Sequence, residues 1–142
     1  MLVSKTPKVT QEIAEFKLFG EMTQATILHV ICTHRGMPLS VIQKVVRANP
    51  DATKIVDTKN NTLPIHVALY RNAPFQVIKT LLTHMGPNFL KVQDKNGNTP
   101  LHLATRVSSP VTVLRMLDVA PTVASSRNSN LQVPLHLACS RS

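Results

Sequence analysis

An all-α solenoid of stacked helix–turn–helix units is the fold class that this chain of 142 residues predicts, and three observations carry it. Four histidines, His29, His66, His102 and His136, recur in similar settings (ATILHVICT, TLPIHVALY, NTPLHLATR and QVPLHLACS) at steps of 37, 36 and 34 residues. Nine of the ten prolines fall into three registers of the same repeat: Pro38, Pro74 and Pro110; Pro64, Pro100 and Pro134; Pro50, Pro87 and Pro121. Between them run apolar residues at helical spacing. The composition agrees. Ten Pro against four Gly would suit a disordered linker, but 43% apolar residues and a mean hydropathy of +0.03 do not. Nor can one long helix tolerate a Pro about every fourteen residues.

Each register has a structural reason. The proline two residues before a histidine suits the first turn of a helix, where its missing N–H is not needed. That helix runs seven or eight residues, as from Pro64 to Tyr70. The second series opens a second helix: PLSVIQKVVR, PFQVIKTLLT and PVTVLRMLDV. Val41, Ile42, Val45 and Val46 form its apolar face in the first copy, and Val77, Ile78, Leu81 and Leu82 in the second. In the third, Val113, Leu114 and Leu117 keep the stripe while Asp118 replaces its last member. The third series lies beyond the second helix, where Pro prevents continuation. Polar turns, DTKNNT and DKNGNT, lead to the next unit. Two short helices cannot bury their apolar faces alone, so the units must stack.

Asp94, Gly97, Thr99, Pro100, Leu101, His102 and Ala104 spell D-x-x-G-x-T-P-L-H-x-A, which resembles the ankyrin repeat. The resemblance covers residues from about 21 to the end, as units at about 21–57, 58–93, 94–127 and an incomplete 128–142. It implies that the register residues His29, His66, His102 and His136, with Pro64, Pro100 and Pro134, are structural, each His tying one turn to its neighbour. The Gly position reads Gln24, Asn61, Gly97 and Leu131. Asn accepts a left-handed backbone, but Gln and Leu do so reluctantly, so the hairpins of Gln24 and Leu131 are expected to be less regular. Residues 1–20 read as an N-terminal capping helix, with Val9, Ile13 and Phe16 on one face, or as a degenerate half-repeat. The chain stops six residues after His136, which points to a fragment with an open last interface.

Catalytic chemistry finds no support. Stacked units hold register histidines about 10 Å apart, whereas zinc needs ligands at about 2 Å; no metal and no cofactor is expected. Cys32 and Cys139 occupy equivalent positions three units apart, about 30 Å at helix-packing spacing and far beyond disulfide reach. Cys32 reads as an inert buried thiol. No Gly-rich phosphate loop, paired carboxylates or Ser–His–Asp spacing appears.

The remaining signal is surface. Sixteen Lys and Arg against seven Asp and Glu give a net charge of +9. The resemblance implies that partners dock on the turn tips and the exposed side of the first helix. The tips are Met22, Thr23 and Ala25; Lys59, Asn60 and Thr62; Lys95, Asn96 and Asn98; Ser129, Asn130 and Gln132. The helix positions are Thr33 and His34, Tyr70 and Arg71, Arg106 and Val107, Ser140 and Arg141. None of these is acidic. The sequence therefore predicts a non-catalytic protein-interaction module. Its expected contacts with an acidic or polar segment are Lys59, Asn60, Thr62, Tyr70, Arg71, Lys95, Asn96, Asn98 and Arg106. The alternatives are electrostatic binding of nucleic acid or an anionic surface, and a recognition arm of a larger protein truncated at Ser142. Few aromatic rings are available for base stacking, which counts against nucleic acid. An intracellular, cytoplasmic or nuclear monomer is expected, without membrane insertion, unless the open C-terminal face pairs.

Overall fold

A computed structural model describes residues 27–34, 36–107 and 110–139. The capping helix or half-repeat expected over residues 1–20, the first turn tip (Met22 to Ala25), Ser140 and Arg141 lie outside the described residues. Among the described residues seven α-helices follow one another as three inner–outer pairs and a last inner helix. Inner helices are α1 (Ile27–Thr33), α3 (Pro64–Tyr70), α5 (Pro100–Val107) and α7 (Pro134–Cys139). Outer helices are α2 (Leu39–Ala48), α4 (Phe75–His84) and α6 (Pro110–Val119). Inner helices pack on inner helices in chain order, and outer on outer, which makes the stack quasi-one-dimensional. Among the described residues there is no strand, only the antiparallel bridge of Asp57 with Thr62.

The prolines sit at the expected joints. Pro64, Pro100 and Pro134 are the first residues of α3, α5 and α7, while Pro38 and Pro74 immediately precede α2 and α4. The third series does more than stop a helix. Pro50, Pro87 and Pro121 each open a five-residue 3₁₀ turn, Pro50–Lys54, Pro87–Lys91 and Pro121–Ser125. Each turn drives one side chain into the core: Ala52, Leu90 and Val123. The core runs along the stack between inner and outer layers, through Leu28, Ile65, Leu69, Ile78, Leu81 and Leu101. Each such side chain contributes about 1.5–3 kcal/mol by leaving water. Ala68 and Ala104, both fully buried, let neighbouring inner helices approach closely.

The third outer helix departs from its expected register. Helices α2 and α4 begin one residue after their proline, but Pro110 is itself the first residue of α6. A slip of one residue turns a helix face by about 100°. Thr112 and Met116 are consequently buried, whereas Leu114 is 62% exposed. Asp118 is exposed beside it and does not interrupt the core stripe at all. The path from the helix-opening proline to the next is also shorter here: Pro121 follows Pro110 by eleven residues, against twelve and thirteen in the two preceding units. Met116 then plays the part of Val45 and Leu81, and Leu114 occupies the solvent-facing place of Gln43 and Lys79.

The hairpins also rearrange the expectation. Asn61, Gly97 and Leu131 all adopt positive φ, at 54°, 74° and 60°. The turn of Leu131 repeats that of Gly97 bond for bond. Gly97 N–H donates to Asp94 O and Leu131 N–H to Asn128 O, both at 2.9 Å, and Asp94 and Asn128 close to Asn98 and Gln132 at the same distance. The Leu131 turn is therefore regular, its exposed side chain carrying the strain of a left-handed backbone. The outlier is the second unit, where Asp57 N–H reaches Thr62 O and one extra residue is accommodated.

Candidate functional site

The turns are organised by one side chain each. Asp57 accepts from Lys59 N–H at 3.0 Å and from Asn60 Nδ2 at 3.2 Å. Asp94 Oδ1 accepts from the N–H groups of Asn96 (2.9 Å) and Asn98 (3.0 Å). Asn128 Oδ1 does the same for Asn130 and Gln132, both at 3.0 Å. These are Asx turns, a local alternative to secondary structure. Adjacent tips are tied through backbone: Lys95 N–H to Asn60 O at 3.2 Å and Ser129 N–H to Asn96 O at 3.0 Å.

The register histidines join the units. His66 Nδ1 accepts from Leu63 N–H at 3.0 Å, and His102 Nδ1 from Thr99 N–H at 3.1 Å. With Nδ1 accepting, the proton of the neutral ring sits on Nε2. From there His66 donates to Asn98 O at 3.2 Å and His102 to Gln132 O at 2.8 Å. His29 Nε2 reaches Thr62 O at 2.9 Å, and His136 Nδ1 takes the Val133 N–H at 3.0 Å. Burial pushes His66 down to about 4 and lowers His29 and His102, against the pull of neighbouring carbonyls and Asp residues. Burial likewise drives the Cys32 thiol up to about 12, so it is held protonated. These groups build the scaffold.

Six of the nine expected contacts meet in one groove. Asn60, Thr62, Tyr70, Arg71, Lys95 and Asn96, with Thr33, Val67 and Asp94, line a cleft of about 290 Å³ between inner helices and turn tips. Tyr70, half exposed, donates its hydroxyl to Asp94 Oδ2 at 2.6 Å. Burial and the Asp94 carboxylate push the phenol up to about 12, so it remains a donor. Asp94 is thus satisfied by two backbone donors and one phenol. Arg71 and Lys95 are exposed and make no ion pair among the described residues. Arg71 also borders a second cavity of about 340 Å³, beside Cys32, His34 and Met37.

The other three expected contacts fall elsewhere. Lys59 and Arg106 are exposed but do not line the cleft. Asn98 is buried: its carbonyl receives His66, and its side-chain oxygen accepts from Asn128 Nδ2 at 3.0 Å. Thr62 is buried as well, on the groove wall. Sequence reasoning missed Asp94 as the group under the groove. Its signal was the recurrence of Asp57, Asp94 and Asn128 at 37 and 34 residues, in phase with the histidines.

Comparison with known families identifies ankyrin repeats in three copies over residues 28–123. The chain belongs to the ankyrin-repeat family. No curated protein matched it. The ankyrin assignment fits the all-helical architecture, and ankyrin repeats are in general non-catalytic protein–protein interaction modules. Among the described residues no helix of this ankyrin chain is long and apolar enough to cross a membrane.

Proposed function

We propose that this ankyrin chain is a recognition module whose inner groove holds an acidic or polar segment of another protein. What supports the reading is the convergence of Tyr70, Arg71 and Lys95 on one cleft, with neither cation ion-paired among the described residues. Its mechanism is binding. Asn60 and Asn96 supply adaptable amide donors and acceptors at the rim, and Tyr70 supplies a rigid ring held by Asp94. Carboxylates of the partner meet Arg71 and Lys95, which steers association and fixes register. Stacked, hydrogen-bonded units lose little freedom on binding.

The test is selection of displayed random peptides on the chain, followed by affinity measurement. Enrichment of Asp and Glu is expected, with R71E/K95E weakening the selected peptides about tenfold or more. R106E alone, outside the cleft, should change little. Unbiased peptides, or equal affinity for R71E/K95E, would overturn the assignment. A duplex DNA oligomer bound more tightly than any peptide, with steep salt dependence, would assign the groove to nucleic acid instead.

A further inference from the structure

The slipped register of α6 has a second outcome on the opposite side of the molecule. By turning about one residue, α6 presents Val111 (55% exposed) and Leu114 (62% exposed) to solvent, three residues apart on one helix face. Phe75 of α4 lies alongside, and Lys79, Arg115 and Asp118 complete an outer-face cleft of about 290 Å³. Elsewhere on the outer layer these helix places hold polar groups: Ser40 and Gln76 where α6 has Val111, Gln43 and Lys79 where it has Leu114. Two apolar side chains thus stand at positions that the repeat otherwise keeps wet, beside a third that is only partly covered. Neither Lys79 nor Arg115 is ion-paired among the described residues.

We infer that the Phe75–Val111–Leu114 cleft is a second docking surface, and that it takes an amphipathic helical segment of an acidic protein partner. Apolar residues of that helix enter the cleft while its carboxylates reach Lys79 and Arg115. Charge decides the occupant. The cleft carries two cations, Lys79 and Arg115, against the one carboxylate of Asp118, so a second copy paired by a two-fold axis would bring two net-positive faces together on a molecule of net charge +9. An acidic helix meets the cations with opposite charge. The surface faces away from the Arg71 and Lys95 groove and does not rest on it. With both occupied, the chain is a bridge between two partners.

The experiment uses the whole chain and a short fluorescent helical peptide with Leu at i, i+3, i+4 and i+7 and Glu at the flanking positions, read by anisotropy. Saturable binding is expected. V111Q/L114Q should weaken it about tenfold or more without lowering the midpoint of thermal unfolding, because both positions are polar in the other outer helices. K79E/R115E should also weaken it, and R71E/K95E should not. Several outcomes would overturn the inference: no saturable binding, V111Q/L114Q binding as well as the parent, or a Lys-for-Glu peptide binding equally. So would a large loss of stability in V111Q/L114Q, which would place Leu114 in the core. A dimer by sedimentation that V111Q/L114Q abolishes would assign the cleft to a second copy.

Discussion

Acidification should destabilise this chain through His66 before most carboxylates lose their charge. Both ring nitrogens of His66 are committed in the folded state: Nδ1 accepts Leu63 N–H, and Nε2 donates across the unit boundary to Asn98 O. Protonation would put a hydrogen on Nδ1, so that a donor faces a donor in a fully buried site. Burial accordingly holds the ring at about 4, against 6.5 for an ordinary histidine. Between those values the unfolded chain binds the proton that the folded chain refuses, so stability falls as pH falls. At about 1.4 kcal/mol for each tenfold change in proton affinity, the full window is worth about 3 kcal/mol. That is a large share of the roughly 5–15 kcal/mol typical of a domain. His29 and His102, also lowered, act in the same direction. Urea unfolding followed by circular dichroism, on the parent and on His66→Gln, isolates the effect. The variant should be less stable by about 1–3 kcal/mol at neutral pH, and the two curves should converge towards about pH 4. Contributions common to both chains, such as growing positive charge, cancel in the difference. A gap that stays constant across the pH range would refute the assignment of Nδ1 as an acceptor.

Two turn substitutions and the cysteines give further checks. Leu131→Gly should raise the unfolding free energy by about 1 kcal/mol, because a largely exposed side chain is removed from a left-handed backbone; an unchanged or lower value would contradict the observed φ. Gly97→Ala, at a turn with the same hydrogen bonds, should instead destabilise markedly, since a Cβ there lies 2.5 Å from Ser129 N. Chemical denaturation reads both. Cys139 is exposed and Cys32 buried with its thiol held at about 12, so a thiol reagent should label one site at once and the other only in denaturant. Equal fast labelling of both would place Cys32 outside the core.

Much of the architecture was legible because proline and histidine act locally. Pro64, Pro100 and Pro134 begin helices for reasons contained within one turn, and the histidines recur because every unit solves the same hydrogen-bonding problem. The misread parts depend on distances between elements. In α6, Val113 and Leu117 belong to either of two apolar faces; the choice between Leu114 and Met116 is made by how the helix seats against its neighbours, which periodicity within the helix does not register. Leu131 looked unsuited to its turn because backbone preference was weighed without the Asn128 side chain that holds the turn closed. At the groove, the cations were visible as exposed repeat positions, whereas Asp94 was counted as a turn former. Its contact with Tyr70 joins residues 24 apart and comes from the stacking of units.

The histidine links carry one more consequence. Their acceptors are Thr62 O, Asn98 O and Gln132 O, all main-chain carbonyls, and the tips are joined by main-chain pairs. Every residue type possesses the carbonyl and all but proline the N–H, so this part of the join is nearly blind to the identity of the neighbour. A unit carrying the histidine and the closed turn can be duplicated, deleted or transplanted without redesigning these polar links, leaving apolar fit and side-chain pairs such as Asn98 with Asn128 and Tyr70 with Asp94 as the remaining conditions. Such a chain can change length by whole units, and each change adds or removes a stretch of recognition surface while leaving the grammar of the junction intact.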